Sequence, residues 1–414
     1  MENQPENNYQ PKKYVELSTP DWVKNATLYE LNVRQFSDEG NFQAVEKQLP
    51  RLKKMGIDII WLMPINPIGE LHRKGSLGSY YSVKDYLGIN AEFGTEDDFR
   101  SLVEAIHNQG MYVILDWVAN HTSWDNHLVD KHPEWYMKSR KGTFQSTRWR
   151  DYDDIIELNY KEPELRKYMT DAMKYWVEEY NIDGFRCDIA SFVPIDFWEN
   201  ARAELDKIKP IFMLAEAEDK ELHRKAFDST YNWTLWNILH QIVQNDLSVK
   251  TLTEAYIAEH VSIFPKAGIR MNFIDNHDKN SWEGNQYDNF GEALEATTVF
   301  TFLMDGIPLV YSGQEAGLDR SLKFFDKDLI FCVGTTDKQR LRLSGKVGIY
   351  FFDQLTRKVN SFTLNDYRKT NTFVQICHFL TPIYLVFCFQ LFPVFSSNFY
   401  LKKALIYSGD KIFQ

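Results

Sequence analysis

The chain has 414 residues, of which 44% are hydrophobic, 15% aromatic and 25% charged, a composition typical of a globular protein. Its formal net charge of −11 argues against a nucleic-acid partner, because phosphate groups attract basic surfaces. The N-terminal stretch MENQPENNYQPKKY lacks the apolar segment of a secretory signal, so a cytoplasmic protein is expected.

Apolar, strand-like runs recur along most of the chain and alternate with helical patterns. In chain order they cover 28–37, 57–65, 112–118, 184–190, 211–217, 271–274 and 308–312. This alternation indicates an α/β fold with a parallel sheet, either open or closed into a (β/α)8 TIM-type barrel. No G-x-G-x-x-G follows the first run, which disfavours a dinucleotide-binding fold.

Helical periodicity is clearest in 95–110, where Thr95 can cap the first turn, and in 163–181, which opens with Pro163. Between these two segments, after the third strand, the chain becomes polar and aromatic with weak periodicity. A stretch of this length is usually a functional loop or a small subdomain. The sequence therefore predicts a short inserted subdomain over about residues 122–162.

Polar side chains cluster at the carboxyl ends of four of the strand-like runs. They are Asp116, Asn120 and His121 after the third run, Arg186 and Asp188 on the fourth, Glu216 and Glu218 on the fifth, and Asn276, His277 and Asp278 after the sixth. In a barrel these ends converge on one face, where active sites lie. Three of these carboxylates, Asp188, Glu216 and Asp278, come from three strands, and with two histidines and an arginine beside them they are typical of an acid/base site. The alternative is a structural ion pair between Arg186 and Asp188, because a buried charge needs a partner.

Seven segments resemble, in order and separation, those of one enzyme family. DWVANH (116–121), GFRCD (184–188), LAEAE (214–218) and NHD (276–278) resemble the four signature regions of the α-amylase family, glycoside hydrolase family 13. YYSVKDY (80–86) and GIPLVYSGQE (306–315) resemble two further family motifs. IELNYKEPELR (156–166) is similar to the fifth region, with Glu157 where an aspartate is usual. The resemblance covers roughly residues 20–330 and implies a (β/α)8 barrel.

The resemblance implies retaining hydrolysis of an α-glucosidic bond by two carboxylates about 5–5.5 Å apart. Asp188 corresponds to the nucleophile that forms the covalent glycosyl intermediate. Glu216 corresponds to the general acid and later the base, and it is preferred over Glu218 by resemblance, since both side chains point the same way on an ideal strand. Asp278 corresponds to the carboxylate that binds the sugar hydroxyls and stabilises the oxocarbenium-like transition state.

A further set of residues is implied to bind the substrate. Arg186 would keep Asp188 ionised and oriented, because a neighbouring cation lowers the pKa of a carboxylate. The others are Tyr81 as a stacking platform, His121 and His277 as hydrogen-bonding partners of the sugar, and Asp116, which either orients its neighbours or contacts the sugar.

The chain also departs from the family pattern. Many members carry a Lys-His pair shortly after the nucleophile, which serves a sugar subsite and a calcium site, whereas this chain reads Ile189-Ala190-Ser191-Phe192. Asn120 resembles a calcium ligand of the family, so a calcium ion at Asn120 is left open, and no other cofactor is expected.

The same departure leaves the substrate open between starch-like α-glucans and short maltooligosaccharides. An α-glucosidase or cyclomaltodextrinase-like enzyme is the alternative for short substrates. A further alternative is a catalytically impaired, sugar-binding relative, because the C-terminal region is altered.

The sequence changes character near residue 330. Residues 331–414 contain 11 basic and four acidic residues, no Glu and no Trp, whereas residues 1–330 contain 54 acidic and 36 basic residues. We therefore divide the chain into an N-terminal extension (1–20), a catalytic barrel (21–330) and an atypical tail (331–414). Either the tail results from a reading-frame change or a foreign exon, or its uncharged stretch 370–401 anchors the protein to a membrane.

Overall fold

The computed structural model describes residues 14–146, 152–244, 247–252, 254, 256 and 261–330. The predicted atypical tail, 331–414, and its uncharged stretch, 370–401, lie outside the described residues. So does most of the predicted N-terminal extension. In the described part of the chain, no helix is both long enough and apolar enough to cross a membrane.

Eight parallel strands close into a barrel, which confirms the predicted α/β barrel and rules out the open sheet. Around the barrel the strands are β1 (Leu28–Leu31), β2 (Ile59–Leu62), β3 (Tyr112–Trp117), β6 (Gly184–Cys187), β7 (Phe212–Ala215), β8 (Ser229–Tyr231), β9 (Ile269–Asn272) and β10 (Ile307–Tyr311). Pairing of Leu28 with Leu309 joins β1 to β10 and closes the ring. All the carboxyl ends therefore lie on one face.

One barrel strand, β8, has no counterpart among the seven predicted runs. It is only three residues long, and all three residues are buried. Its sequence, Ser-Thr-Tyr, is too short and too polar to give an alternating or continuous apolar signal. Pairing with β7 and β9 on either side, rather than its own pattern, defines it as a strand.

Helices surround the barrel, and two of them, Glu96–Asn108 and Pro163–Tyr180, correspond to the helices expected from the sequence. The helices are α1 (Val33–Phe36), α2 (Phe42–Met55), α3 (Glu96–Asn108), α4 (His127–Lys131), α5 (Pro163–Tyr180), α6 (Ile195–Leu205), α7 (Trp233–Val243), α8 (Val249–Thr251), α9 (Val261–Ile263), α10 (Gln286–Phe290) and α11 (Leu294–Leu303). Both predicted helices are confirmed. Thr95 and Asp98 form a capping box at the start of α3, and Asn181 ends α5 in the left-handed conformation.

The chain between β3 and α5 leaves the barrel and forms a small substructure. It contains α4 and a two-stranded antiparallel sheet of β4 (His121–Ser123) and β5 (Ile155–Glu157), in which His121 pairs with Glu157. The hydroxyl oxygen of Tyr86 lies 2.8 and 2.9 Å from the carbonyl oxygens of Val118 and His121, which share its single proton. These contacts hold the beginning of the excursion against the carboxyl-end face of the barrel.

Candidate active site

Arg186, on β6, lies at the centre of a buried group of carboxylates. Its Nη1 lies 2.8 Å from Asp116 Oδ1 and 3.0 Å from Asp188 Oδ1, and its Nη2 lies 2.9 Å from Glu216 Oε2. Its Nε donates a hydrogen bond to the Tyr231 hydroxyl at 3.2 Å. The Arg186 side chain is fully buried. One guanidinium therefore contacts a carboxylate on β3 and the carboxylates that come directly after β6 and β7, and these three strands are neighbours in the barrel.

This arrangement differs from a structural ion pair in its charge balance. A buried pair matches one cation with one anion, because each unpaired buried charge costs several kcal/mol. Here one cation faces Asp116, Asp188 and Glu216, so at least one of these carboxyl groups is favoured in its protonated form. Titratable groups arranged in this way are characteristic of sites that transfer protons.

The carboxyl groups of Glu216 and Asp188 have different proton affinities. Burial, together with the negative charges of Asp188 and Asp278, outweighs the opposing charge of Arg186 and raises the pKa of Glu216 to about 8. Burial also raises the pKa of Asp188, but only to about 6, because Arg186 opposes the shift. At neutral pH Glu216 therefore holds a proton and Asp188 is predominantly ionised. The site contains an acid and an anion side by side.

A second group of side chains lies next to Asp116. The Tyr81 hydroxyl donates to Asp116 Oδ2 at 3.1 Å and lies 2.8 Å from His277 Nε2. The rings of Tyr81 and His277 stack with centroids 5.4 Å apart. His277 Nε2 also lies 3.5 Å from Asp278 Oδ2, and the side chain of Asp278 is 44% exposed. Asp278 is thus the carboxylate of this group that faces solvent.

Glu30 of β1 binds the other side of His277. His277 Nδ1 contacts Glu30 Oε1, and both side chains are buried. Burial lowers the pKa of His277, but Asp278 and Glu30 outweigh it and raise this pKa to about 9. His277 is therefore an imidazolium at neutral pH, and both of its nitrogens act as donors.

His121 and Asn120 lie at the start of the excursion after β3. Both are buried, and Asn120 Nδ2 lies 3.3 Å from His121 Nδ1. Burial lowers the pKa of His121 to about 4, so this imidazole is neutral. In the described part of the chain, no three His, Cys, Asp or Glu side chains come together as metal ligands. Calcium also takes amide and backbone carbonyl oxygens, so Asn120 as a calcium ligand stays a prediction.

Glu218, the alternative to Glu216, is engaged elsewhere. Its carboxylate accepts hydrogen bonds from the Thr234 backbone N–H at 3.1 and 3.2 Å, and it pairs with Arg270 of β9. It therefore fixes the start of α7. Although the two glutamates are two residues apart, Glu216 is the one that faces Arg186.

Three further side chains of this site were missed by the sequence reasoning. Glu30 contacts His277 Nδ1, Trp61 Nε1 donates to Asp116 Oδ2 at 3.1 Å, and the Tyr231 hydroxyl accepts a hydrogen bond from Arg186. Glu30 had a usable signal, since a charge within the apolar run LYEL needs a partner just as Arg186 does. Trp61 and Tyr231 are aromatic residues on buried strands, and nothing in their sequence context separates them from core residues.

Comparisons with known proteins give consistent matches over the barrel. The family profile described as "Alpha amylase, catalytic domain" matches residues 18–342. Alpha-amylase 3 of Dictyoglomus thermophilum is 27% identical over 354 residues, which covers 74% of this chain and 67% of that protein. The first three curated relatives are matched over 67%, 56% and 45% of their own lengths, so the chain spans little more than half of them.

Two solved structures are more similar in sequence. An α-amylase from Lactobacillus plantarum is 34% identical, with a TM-score of 0.72 and a match over 80% of each chain. AmyB from Thermotoga neapolitana, a noncanonic maltogenic α-amylase, is 36% identical, with a TM-score of 0.71 over 80% of this chain and 77% of its own.

Proposed function

The chain belongs to the α-amylase family, and from that premise we propose that it hydrolyses α-glucosidic bonds of α-glucans or maltooligosaccharides with retention of configuration. The observation that supports this most strongly is the contact of one buried arginine with both Asp188 and Glu216. Adjacent nitrogens of the guanidinium hold the two carboxyl groups close together. Retaining glycosidases need a separation of about 5–5.5 Å, whereas inverting enzymes need room for a water molecule.

In the first step the bond to the leaving group breaks. The ionised Asp188 attacks the anomeric carbon, and protonated Glu216 gives its proton to the glycosidic oxygen. The leaving sugar departs as an alcohol, and the remaining sugar is bound to Asp188 as an ester. The raised pKa of Glu216, about 8, keeps the required proton in place at neutral pH.

In the second step water replaces the ester. Glu216, now a carboxylate, takes a proton from water while the water oxygen bonds to the anomeric carbon. The bond to Asp188 breaks and leaves its carboxylate ionised, and Arg186 stabilises that charge at 3.0 Å. Two displacements at the same carbon return the original configuration.

The group of Tyr81, His277 and Asp278 binds the sugar that reacts. The stacked ring of Tyr81 offers an apolar face to the sugar, and the exposed carboxylate of Asp278 accepts hydrogen bonds from sugar hydroxyls. The negative charge of Asp278 also favours the oxocarbenium-like transition state. His121 and Asp116 complete this side of the site as a neutral hydrogen-bonding group and as the anchor of Arg186.

Product analysis tests this proposal. We expect maltotriose and starch to release reducing sugars whose first-formed anomer, followed by proton NMR, is α. Glu216→Gln is the control, since it keeps the shape of the side chain but removes its titratable proton. A β anomer as the first product would contradict the mechanism. Intact sugar binding without any product would instead indicate the impaired, sugar-binding alternative.

The second candidate is a cyclomaltodextrinase-like or α-glucosidase activity on short substrates. It is favoured by the 36% identity to a maltogenic α-amylase and by the absence of the family's Lys-His pair after Asp188, where this chain reads Ile-Ala-Ser-Phe. Competition between maltotriose and starch at equal concentrations of reducing ends separates the two. A kcat/KM for maltotriose or cyclodextrin well above that for starch would favour the short-substrate enzyme.

A further inference from the structure

Glu30 is a buried carboxylate that the two-carboxylate mechanism does not use. It belongs to β1, where its carbonyl oxygen accepts hydrogen bonds from the backbone N–H of Ser312, at 3.0 Å, and from Ser312 Oγ. Its Oε1 contacts His277 Nδ1, and among the described residues its Oε2 has no hydrogen-bond partner. A buried carboxylate costs several kcal/mol without a cation beside it, so Glu30 favours the charged form of His277.

The charged form of His277 orders a chain of hydrogen bonds across the site, because both ring nitrogens then carry a proton. Nδ1 donates to Glu30, and Nε2 donates to the Tyr81 hydroxyl oxygen, which lies 2.8 Å away. The single proton of the Tyr81 hydroxyl is left for Asp116 Oδ2, at 3.1 Å. Each hydrogen bond from Glu30 to Asp116 therefore has one donor and one acceptor, and Asp116 in turn holds Arg186 at 2.8 Å.

A neutral His277 would disrupt this order. With its one proton on Nδ1, its Nε2 would be an acceptor and would compete with Asp116 for the Tyr81 proton. Nε2 also lies 3.5 Å from Asp278 Oδ2, where an N–H attracts the carboxylate but a lone pair repels it. Tyr81 and Asp278 are the groups proposed to bind the sugar, so the charge of His277 affects the substrate through both of them.

Several charged groups face His277 from the elements packed around it. They are Glu30 of β1, Asp116 of β3, Arg186 of β6, and Asp275 and Asp278 of its own segment. The rings of Trp61 and Phe324 approach it from other sides and carry no charge. Water screens the charge of Asp278, which is 44% exposed, but does not reach the buried Glu30. Glu30 is therefore the partner whose loss should change His277 most.

We propose that Glu30 is a positioning residue for the reaction. Its negative charge keeps His277 in the form that donates from both nitrogens. The Tyr81 proton is thereby directed to Asp116, and Asp278 is held beside the sugar. The proposal rests on the proposed function, because the sugar that these groups hold is the one that reacts. Glu30 acts through His277 and exchanges no proton with the substrate.

The pH profile of kcat/KM on maltotriose tests this role with Glu30→Gln, which keeps the shape of the side chain and an acceptor oxygen but removes the charge. We expect His277 to lose its proton about two pH units lower in this variant. At pH 8, kcat/KM should therefore fall about tenfold below that of the wild-type chain, whereas at pH 5.5 the two should agree within about twofold. A side chain that only packs against its neighbours would give similar losses at both pH values, and that result would overturn the proposal.

Two further variants separate the charge of Glu30 from its shape. Glu30→Asp keeps the charge on a shorter side chain, and its ratio of kcat/KM at pH 8 to that at pH 5.5 should stay within about threefold of the wild-type ratio. Glu218→Gln removes a glutamate charge that is paired with Arg270, and it should leave the titration of His277 unchanged. A loss at pH 8 that is as large in Glu30→Asp as in Glu30→Gln would contradict the role of the charge.

Nitrogen-15 NMR of the histidine rings follows His277 without any turnover, and the His277→Gln protein identifies its signals by their absence. We expect His277 to be predominantly protonated at pH 8 in the wild-type chain and predominantly neutral at pH 8 in Glu30→Gln. A neutral His277 in the wild-type chain at pH 8 would overturn the proposal. The same titration in both proteins would also overturn it.

Binding of maltotriose to the Glu216→Gln protein tests the effect on the sugar. Addition of Glu30→Gln should weaken binding about tenfold at pH 8 and less than about twofold at pH 5.5, because His277 keeps its charge at the lower pH. If the wild-type chain hydrolyses no α-glucoside, the proposed function fails while this affinity ratio still tests the role of Glu30. Equal affinities at pH 8 in a chain that does hydrolyse maltotriose would contradict the role of Glu30 alone.

Discussion

At the scale of single residues, the site depends on how one cation is shared. Arg186 contacts Asp116, Asp188 and Glu216, and a single positive charge does not neutralise three buried carboxylates. This excess of buried negative charge lowers the stability of the fold, because the carboxylates are not fully compensated. It also separates the proton affinities of Asp188 and Glu216, which two-carboxylate catalysis requires.

The pH dependence of kcat/KM is the first consequence. Activity needs Asp188 ionised, so it falls as the pH drops through about 6, and it needs Glu216 protonated, so it falls as the pH rises through about 8. We therefore expect a bell-shaped profile with its maximum between these values, measured on maltotriose at constant ionic strength. A profile that is flat from pH 5 to 9 would show that these two groups do not control the rate.

Removal of the acid should depend on the leaving group. Glu216→Gln should lower kcat/KM for maltotriose by about 10³-fold or more, because the departing alcohol is no longer protonated. The fluoride of α-glucosyl fluoride leaves with little protonation. With this substrate, Glu216→Gln should therefore lower the rate of the first step far less. The alkaline limb of the pH profile should disappear with that substrate. An equal loss on both substrates would identify Glu216 as a structural residue instead.

At the scale of elements, the approach of β6 to β7 brings Asp188 and Glu216 together. Gly184 begins β6 with φ of +153° and pairs with Phe212 of β7. A Cβ atom at Gly184 would overlap the carbonyl oxygen of Phe212. The strands could then keep this register only by moving apart, and the two carboxyl groups would move with them.

Gly184→Ala should therefore lower both stability and activity. We expect a loss of more than about 3 kcal/mol in the free energy of unfolding, measured by denaturant titration. The matched control is Gly110→Ala, at another positive φ of +66° but with no atom within 4 Å of the added Cβ. It should cost only about 1 kcal/mol, from backbone strain alone. Similar losses in the two variants would contradict the close-approach argument.

The elements differ in how well they can be read from the sequence. Seven barrel strands and the helices α3 and α5 follow from local patterns, because their apolar periodicity and caps are strong. The strand β8 does not, since tertiary pairing determines its three residues. Spacing places both Glu216 and Glu218 on one side of a strand. Only the structure distinguishes them, because Glu216 contacts Arg186 whereas Glu218 accepts a hydrogen bond from Thr234.

At the scale of the whole molecule, the barrel is closed by hydrogen bonds, but its outer layer is uneven in the part that the structure describes. After β10 the described residues 312–330 contain a single 3-10 turn, Gln314–Ala316, and no α-helix. In a (β/α)8 barrel a helix normally follows each strand and covers it from outside. The family match ends at residue 342, beyond the boundary expected near residue 330, and we propose that the residues after this match are not family sequence.

Replacement of the tail tests this proposal. A chimaera that carries the corresponding C-terminal segment of the Lactobacillus plantarum α-amylase in place of residues 343–414 should be more stable, with Tm raised by more than about 5 °C. Its specific activity on maltotriose should also rise. The loops that carry the active-site residues are positioned by the barrel sheet, so a more stable sheet holds them better in place. An original chain that is as stable and active as the chimaera would show that its own tail costs neither stability nor activity.

The central claim is that Asp188 becomes covalently bonded to the sugar, and trapping the intermediate tests it most directly. The chain is incubated with 5-fluoro-α-glucosyl fluoride, whose ring fluorine slows the second step, and is then digested and analysed by mass spectrometry. We predict one added fluoroglucosyl group on the peptide that contains Asp188, formed by the wild-type chain and absent from Asp188→Asn. A label on any other residue, or turnover of maltotriose by Asp188→Asn at the wild-type rate, would contradict the mechanism.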